Sequence, residues 1–168
     1  MTETKDIRKL RKAVALLRLT LGIIILSIWW DNFQKGIYTG QGITDLFLHP
    51  DRGIFTATGG GTYFGYRTII ESTILQWPAA FAAFQMIAEL MMGLGLLVGG
   101  LTRLASLGAT FFFLNLLLAY LGGNGGIWTY VLLTVSSLVV FLTYAGREFG
   151  FDRRLVASRG EPKYKFLW

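Results

Sequence analysis

The chain has 168 residues, of which 53% are apolar and only 15% charged, and its mean hydropathy is +0.50. Charge that sparse falls well below the roughly 25% of soluble domains and excludes disorder as well as an ordinary water-soluble domain. The absence of cysteine excludes a disulfide framework, an iron–sulfur cluster and a thiol nucleophile, and the single histidine, His49, excludes a bis-histidine haem.

Four apolar stretches are long enough to cross a bilayer, which takes about 20 residues of helix. They run over 13–30, 79–100, 104–121 and 127–145. The first has a basic start, but "LGIIILSIWWDN" ends without a small-x-small cleavage site, so it reads as a retained helix. Residues 31–78 form a long loop that is too extended to be structureless in a compact protein. Within it, Ile69, Ile70, Thr73 and Ile74 fall along one helical face, and Arg67 and Glu71 are spaced to pair at i, i+4. A short amphipathic helix near 66–76 is therefore expected. Gly59-Gly60-Gly61 reads as a flexible break; it lacks the lysine of a phosphate loop, so no nucleotide is expected. The third and fourth stretches share 43 uncharged residues, interrupted once by the turn Gly122-Gly123-Asn124-Gly125-Gly126. The fold class expected is an all-α membrane protein. It is a four-transmembrane-helix bundle in one domain, 1–168, with a partly helical outer loop and a tail over 146–168.

The charges orient it. Thirteen of the 16 basic residues lie in or before the start of the first span, at Arg103, or after the fourth span. Only Lys35, Arg52 and Arg67 lie in the long loop, beside four acids. The positive-inside rule puts both termini in the cytoplasm and the loop outside, in a multi-pass protein of the plasma membrane. The basic ends then read as anchors to anionic lipid, not as a nucleic-acid surface. Trp29, Trp30, Trp77 and Trp128 fall at the outer ends of spans, where an aromatic belt belongs.

Glu89 is the one acid inside the spans. A carboxyl at that depth costs roughly 2.5–3.5 kcal/mol on insertion scales, so it should face inward and find a partner. Two readings are open: a structural hydrogen bond to a neighbouring helix, or a site that handles protons or a quinone head group. Gln85 lies one turn earlier on the same face. Arg18 in the first span is a candidate partner, although its stem is long enough to snorkel to the interface. Asn115 in the third span completes a possible polar cluster. Its minimum role is to glue helices together, at about 0.6 kcal/mol per bond. Gly95 and Gly99 make a small-xxx-small pair that suits close helix packing. Asp31 and Lys35 are spaced to pair on the outer surface.

Three segments carry a family resemblance: "LLRLTLGIIILSIWWDNFQKG", "AELMMGLGLLVGGLTRLAS" and "AGREFGFDRRL". Together they resemble the DoxX-like superfamily, most closely the DoxD subunit, over most of residues 13–155. The residues at its recurrent polar positions are Arg18, Lys35, Glu89, Arg103 and Asp152. The resemblance implies a membrane subunit that works with a DoxA-like partner as a thiosulfate:quinone oxidoreductase; the pair is also associated with a terminal quinol oxidase complex. Quinone is then the bound substrate, Glu89 and Arg18 are the catalytic candidates, and Gln85, Asn115, Lys35 and Arg67 are substrate-binding candidates. No metal is expected. Without cysteine, thiosulfate cannot pass through a protein persulfide. The alternative is a non-catalytic accessory subunit of a larger respiratory or photosynthetic membrane complex.

Overall fold

The computed structural model describes residues 2–143 and 145–159. Seven α-helices and three single 3₁₀ turns account for its regular structure, with no strand among the described residues. The helices are α1 (Thr2–Gln34), α2 (Gly40–Leu48), α3 (Tyr66–Ser72), α4 (Pro78–Val98), α5 (Thr102–Tyr120), α6 (Ile127–Leu142) and α7 (Phe151–Arg159). Three are long and apolar enough to cross a membrane: α1 over Lys9–Gln34, α4 and α5. On that basis the chain is a helical membrane protein. The fourth stretch is apolar but helical for only 16 residues and ends at Leu142, not at 145. The sequence after it turns into a 3₁₀ segment, Ala145–Arg147.

The described residues pack into two compact units. The first comprises residues up to Ser27, Leu90–Phe111 and the chain from Leu133 onward. Within it α1 and α4 approach closely at Gly22, where an added Cβ would lie 2.7 Å from the backbone nitrogen of Leu97. α4 and α5 approach at Gly95, whose Cβ would meet that of Ala105 at 2.9 Å. The expected pairing of Gly95 with Gly99 as one packing stripe does not hold. Gly99 lies past the end of α4, at φ +71°, and serves as its left-handed cap: its N–H and that of Gly100 both donate to the Gly95 carbonyl, at 2.9 and 3.0 Å. Asp152 holds the start of α5, accepting from the N–H groups of Leu101 (2.7 Å) and Thr102 (2.9 Å). That carboxylate satisfies two backbone donors where the helix dipole favours negative charge. Arg103, expected as a surface anchor, reaches across to α6. Its Nε donates to the Phe141 carbonyl at 3.2 Å, and its guanidinium lies over the Phe141 ring.

The second unit comprises Ile28–Glu89 and Phe112–Leu132. Its core is Ile43, Phe47, Ile54, Phe55, Tyr66, Ile70, Ala82 and Ala119. Each fully buried Ile or Phe contributes about 1.5–3 kcal/mol. α2 was not foreseen as a helix. Thr39 caps it by accepting from the Gly42 N–H at 2.9 Å, and Ile43 and Phe47 turn inward one helical turn apart. α3 is shorter than the expected 66–76 helix, with a 3₁₀ turn at Ile74–Gln76 following it. That break rotates the expected face. Ile70 is buried, whereas Ile69 is 51% exposed and Thr73 is exposed. The triple glycine at 59–61 is no free break. Gly60 donates to the Ile54 carbonyl (3.0 Å), Gly61 donates to Leu121 (3.1 Å), and Thr58 accepts from the Asn124 N–H (3.0 Å). The two glycine-rich segments thus bind each other. The expected tail over 146–168 starts in the 3₁₀ segment and continues into helix α7; residues 160–168, with Lys163, Lys165 and Trp168, lie outside the described residues.

Gly99 generates a test of this packing. A Cβ there would overlap the Arg18 guanidinium and sit on left-handed backbone. Gly99→Ala should cost about 1–2 kcal/mol from the backbone and about 1–3 kcal/mol from overpacking. A lowered melting temperature in detergent is the expected outcome; an unchanged one would contradict the assigned cap.

Candidate functional site

Glu89 is fully buried on α4. One turn back, Gln85 donates from Nε2 to Oε1 at 2.7 Å. The other oxygen, Oε2, accepts from the Tyr38 hydroxyl at 2.6 Å and, at the limit of hydrogen bonding, from Asn32 Nδ2 at 3.5 Å. The carboxylate is therefore held by a phenol and two amides, all neutral. α1 brings Asn32 there because it continues past Trp30 to Gln34. Lys35 N–H bonds to Asp31 and Ile37 N–H to Asn32 then close the chain into a turn that presents Tyr38. Burial, followed by the adjoining carboxylate, pushes the Tyr38 phenol well above its ordinary value.

An aromatic face adjoins this cluster. Trp29 donates from its indole N–H to the Met86 carbonyl at 3.0 Å, which fixes its ring. Trp29 lies 5.6 Å from Phe33 in a stacked pair and 6.4 Å from Tyr38, and Phe33 stacks on Trp30 at 6.1 Å. Trp30 and Phe33 are exposed. Glutamate, phenol and open aromatic surface thus come together at the C-terminal end of α1.

Not all the anticipated residues join this cluster. Arg18 is fully buried, so it does not snorkel, and it is not a partner of Glu89. Its Nη2 donates to the Phe149 carbonyl at 3.4 Å, and it lies in the field of Asp152. Nε and Nη1 have no partner among the described residues. Glycine at 99 and at 150 lets backbone lie flush against Nη1. Depth in the spans made Arg18 a candidate partner of Glu89, whereas the structure sets Arg18 in the field of Asp152 and gives Glu89 a separate set of partners. Asn115 accepts from the Tyr66 hydroxyl at 2.9 Å. Lys35 pairs with Asp31 at 2.6 Å, and Arg67 with Glu71 at 2.8 Å, both as their spacing foretold and both at the surface. Arg67 also lies over the Phe55 ring. His49 closes a turn, its Nδ1 accepting from the Asp51 N–H at 3.2 Å.

Asn32, Tyr38 and Tyr66 were not anticipated. Asn32 carries the only available signal: it continues the helical periodicity of α1 beyond the apolar run. Tyr38 sits in the turn after α1 and Tyr66 opens α3, and no local pattern reveals the path that brings either to its partner. Among the described residues no group of His, Asp and Glu has the arrangement of a metal site. Comparison with protein-family models, curated proteins and solved structures finds no match for this chain.

Tyr66 supplies a pH test of the second unit. Burial pushes its phenol from 10.0 up to about 12. A folded value above the unfolded one means that its contribution is intact below pH 10 and is lost as pH rises toward 12. Wild-type melting temperature should fall across that window more steeply than that of Tyr66→Phe. Parallel curves would contradict the burial and hydrogen bonding of this hydroxyl.

Proposed function

We propose that this chain is a quinone-linked membrane oxidoreductase subunit of the DoxX/DoxD-like kind, with Glu89 and Tyr38 as its proton-handling pair. The observation that carries the reading is a fully buried carboxylate in an apolar helix with only neutral partners. A carboxylate paired with arginine is held in its ionised form. One that shares a short hydrogen bond with a phenol takes up or releases a proton with little movement, because the phenol both donates and accepts. The exposed rings of Trp30 and Phe33 offer a planar head group a stacking surface beside that pair.

The overall reaction joins two thiosulfates through a new S–S bond to give tetrathionate. The two electrons released, with two protons, convert quinone to quinol. Glu89 and Tyr38 are assigned to proton delivery at the quinone oxygens. Thiosulfate as donor rests on the family resemblance alone. The loop cations favour placing its oxidation elsewhere. Lys35, Arg52 and Arg67 lie 2.6, 4.0 and 2.8 Å from Asp31, Asp45 and Glu71, so an incoming dianion must displace an acid at each. The donor site is accordingly assigned to a second, DoxA-like subunit. Four spans with both termini in the cytoplasm complete the reading; α6, about 24 Å long at 1.5 Å per residue, crosses by local thinning of the bilayer.

The accessory-subunit reading is favoured by one observation: both Glu89 oxygens already accept bonds from the protein. Turnover separates the two. With the chain isolated together with its co-purifying subunits, Glu89→Gln should assemble normally and lose about 100-fold or more of its quinol formation, the scale of general acid–base catalysis. Unchanged turnover would support the accessory role. The topology is checked in the naturally cysteine-free chain with Asn124→Cys, which should react with an impermeant thiol reagent added outside the cell. Labelling from the cytoplasmic side alone would contradict it.

A further inference from the structure

The first unit contains a cavity of about 330 Å³ that the redox reading leaves unused. Its walls are Leu10, Arg11 and Val14 on α1, with Thr143, Ala145, Arg147 and Glu148 after α6. The volume falls within the roughly 300–1,000 Å³ of small-molecule sites. Arg11 and Val14 lie three residues apart on one helical face, and Leu10 and Val14 four apart, so the α1 wall sets one cation beside two apolar side chains. Arg18, one turn beyond Val14 and outside the cavity walls, is a further buried positive charge on α1. The acids nearby offset this only in part. Glu148 lines the cavity, and Asp152 is engaged by two backbone N–H groups of the α5 start.

We propose that this cavity binds the phosphodiester head group of an anionic membrane lipid. Two guanidinium groups in its walls, at Arg11 and Arg147, match phosphate oxygens with paired N–H donors, a geometry that lysine does not provide. The same walls present Leu10, 64% exposed, and Val14 to the first carbons of an acyl chain. Leu10 and Val14 share one face of α1, so the apolar wall runs along the helix beside the arginines, as a lipid tail requires and a free phosphate does not. Basic pockets between membrane helices select anionic head groups by this combination of local charge and apolar surface. The basic residues that flank the first span thus acquire a specific role beyond general attraction to the membrane.

Lipid titration of the full chain in mild detergent, followed by native mass spectrometry, tests this. Phosphatidylglycerol should bind more tightly than phosphatidylcholine. Arg11→Gln should weaken phosphatidylglycerol about fivefold, the effect of one cationic residue near the membrane surface, and leave phosphatidylcholine unchanged. Arg11 is exposed, so this substitution does not endanger the fold. Lys12→Gln removes an exposed charge one residue along and outside the cavity walls, and should change binding less than twofold. Equal losses in the two variants would overturn the proposal in favour of diffuse surface charge. Equal binding of the two lipids would overturn it outright. Full displacement of phosphatidylglycerol by millimolar inorganic phosphate would overturn the lipid in favour of a free anion.

Discussion

A carboxylate buried in an apolar helix has to be given donors, and much of the second unit is arranged around that demand at Glu89. Water is absent at span depth, and each unsatisfied polar group there costs several kcal/mol. The donors come from three places in the chain. Gln85 is supplied by the helix itself, Asn32 by the continuation of α1, and Tyr38 by the turn that follows it. Placing Tyr38 requires the chain to close tightly after α1 and to enter α2 under the Thr39 cap. Helical spacing groups the rings of Trp29, Trp30 and Phe33 on α1, and the same turn sets Tyr38 6.4 Å from Trp29. Polar satisfaction and the aromatic face therefore follow from one local geometry.

Arg18 presents the opposite charge and a different solution. Its guanidinium is fully buried with, among the described residues, a single backbone acceptor, the Phe149 carbonyl, and the nearby Asp152 carboxylate is committed to the start of α5. Charge compensation here acts through the field and not through contact. Close packing makes it possible, since Gly99 and Gly150 let backbone approach the guanidinium where any side chain would intrude. Gly146 likewise leaves room for Asp152 and Thr102. The segment "AGREFGFDRRL" thus has a physical reason for its glycines and its aspartate. They close the end of α4 and the start of α5 around a buried cation.

What was legible in the sequence follows from which forces are local. Apolar runs announced α1, α4 and α5, and i, i+4 spacing announced the Lys35–Asp31 and Arg67–Glu71 pairs, because helical periodicity fixes both. Glu89 was identifiable as an isolated charge, and Gln85 as its neighbour on the same face. The remaining partners depended on tertiary path. Counting residues from the ends of apolar runs placed Arg18 near Glu89, but α1 continues past Trp30 and brings Asn32 to that position instead. The loop's own architecture was the least legible. α2 has one strong cap and two inward residues, too little pattern to stand out. The glycines at 59–61 read as flexibility because their hydrogen bonds to Ile54 and Leu121 depend on tertiary path and leave no local pattern.

The central claim is that the Glu89 carboxyl exchanges a proton when quinone is reduced. The most direct measurement is the infrared difference spectrum between the oxidised and reduced states of the protein with bound quinone. The account predicts a change in the carboxylic acid carbonyl band that shifts in deuterium oxide and vanishes in Glu89→Gln. A spectrum with no carboxylic acid signal, or one that persists unchanged in Glu89→Gln, would contradict it.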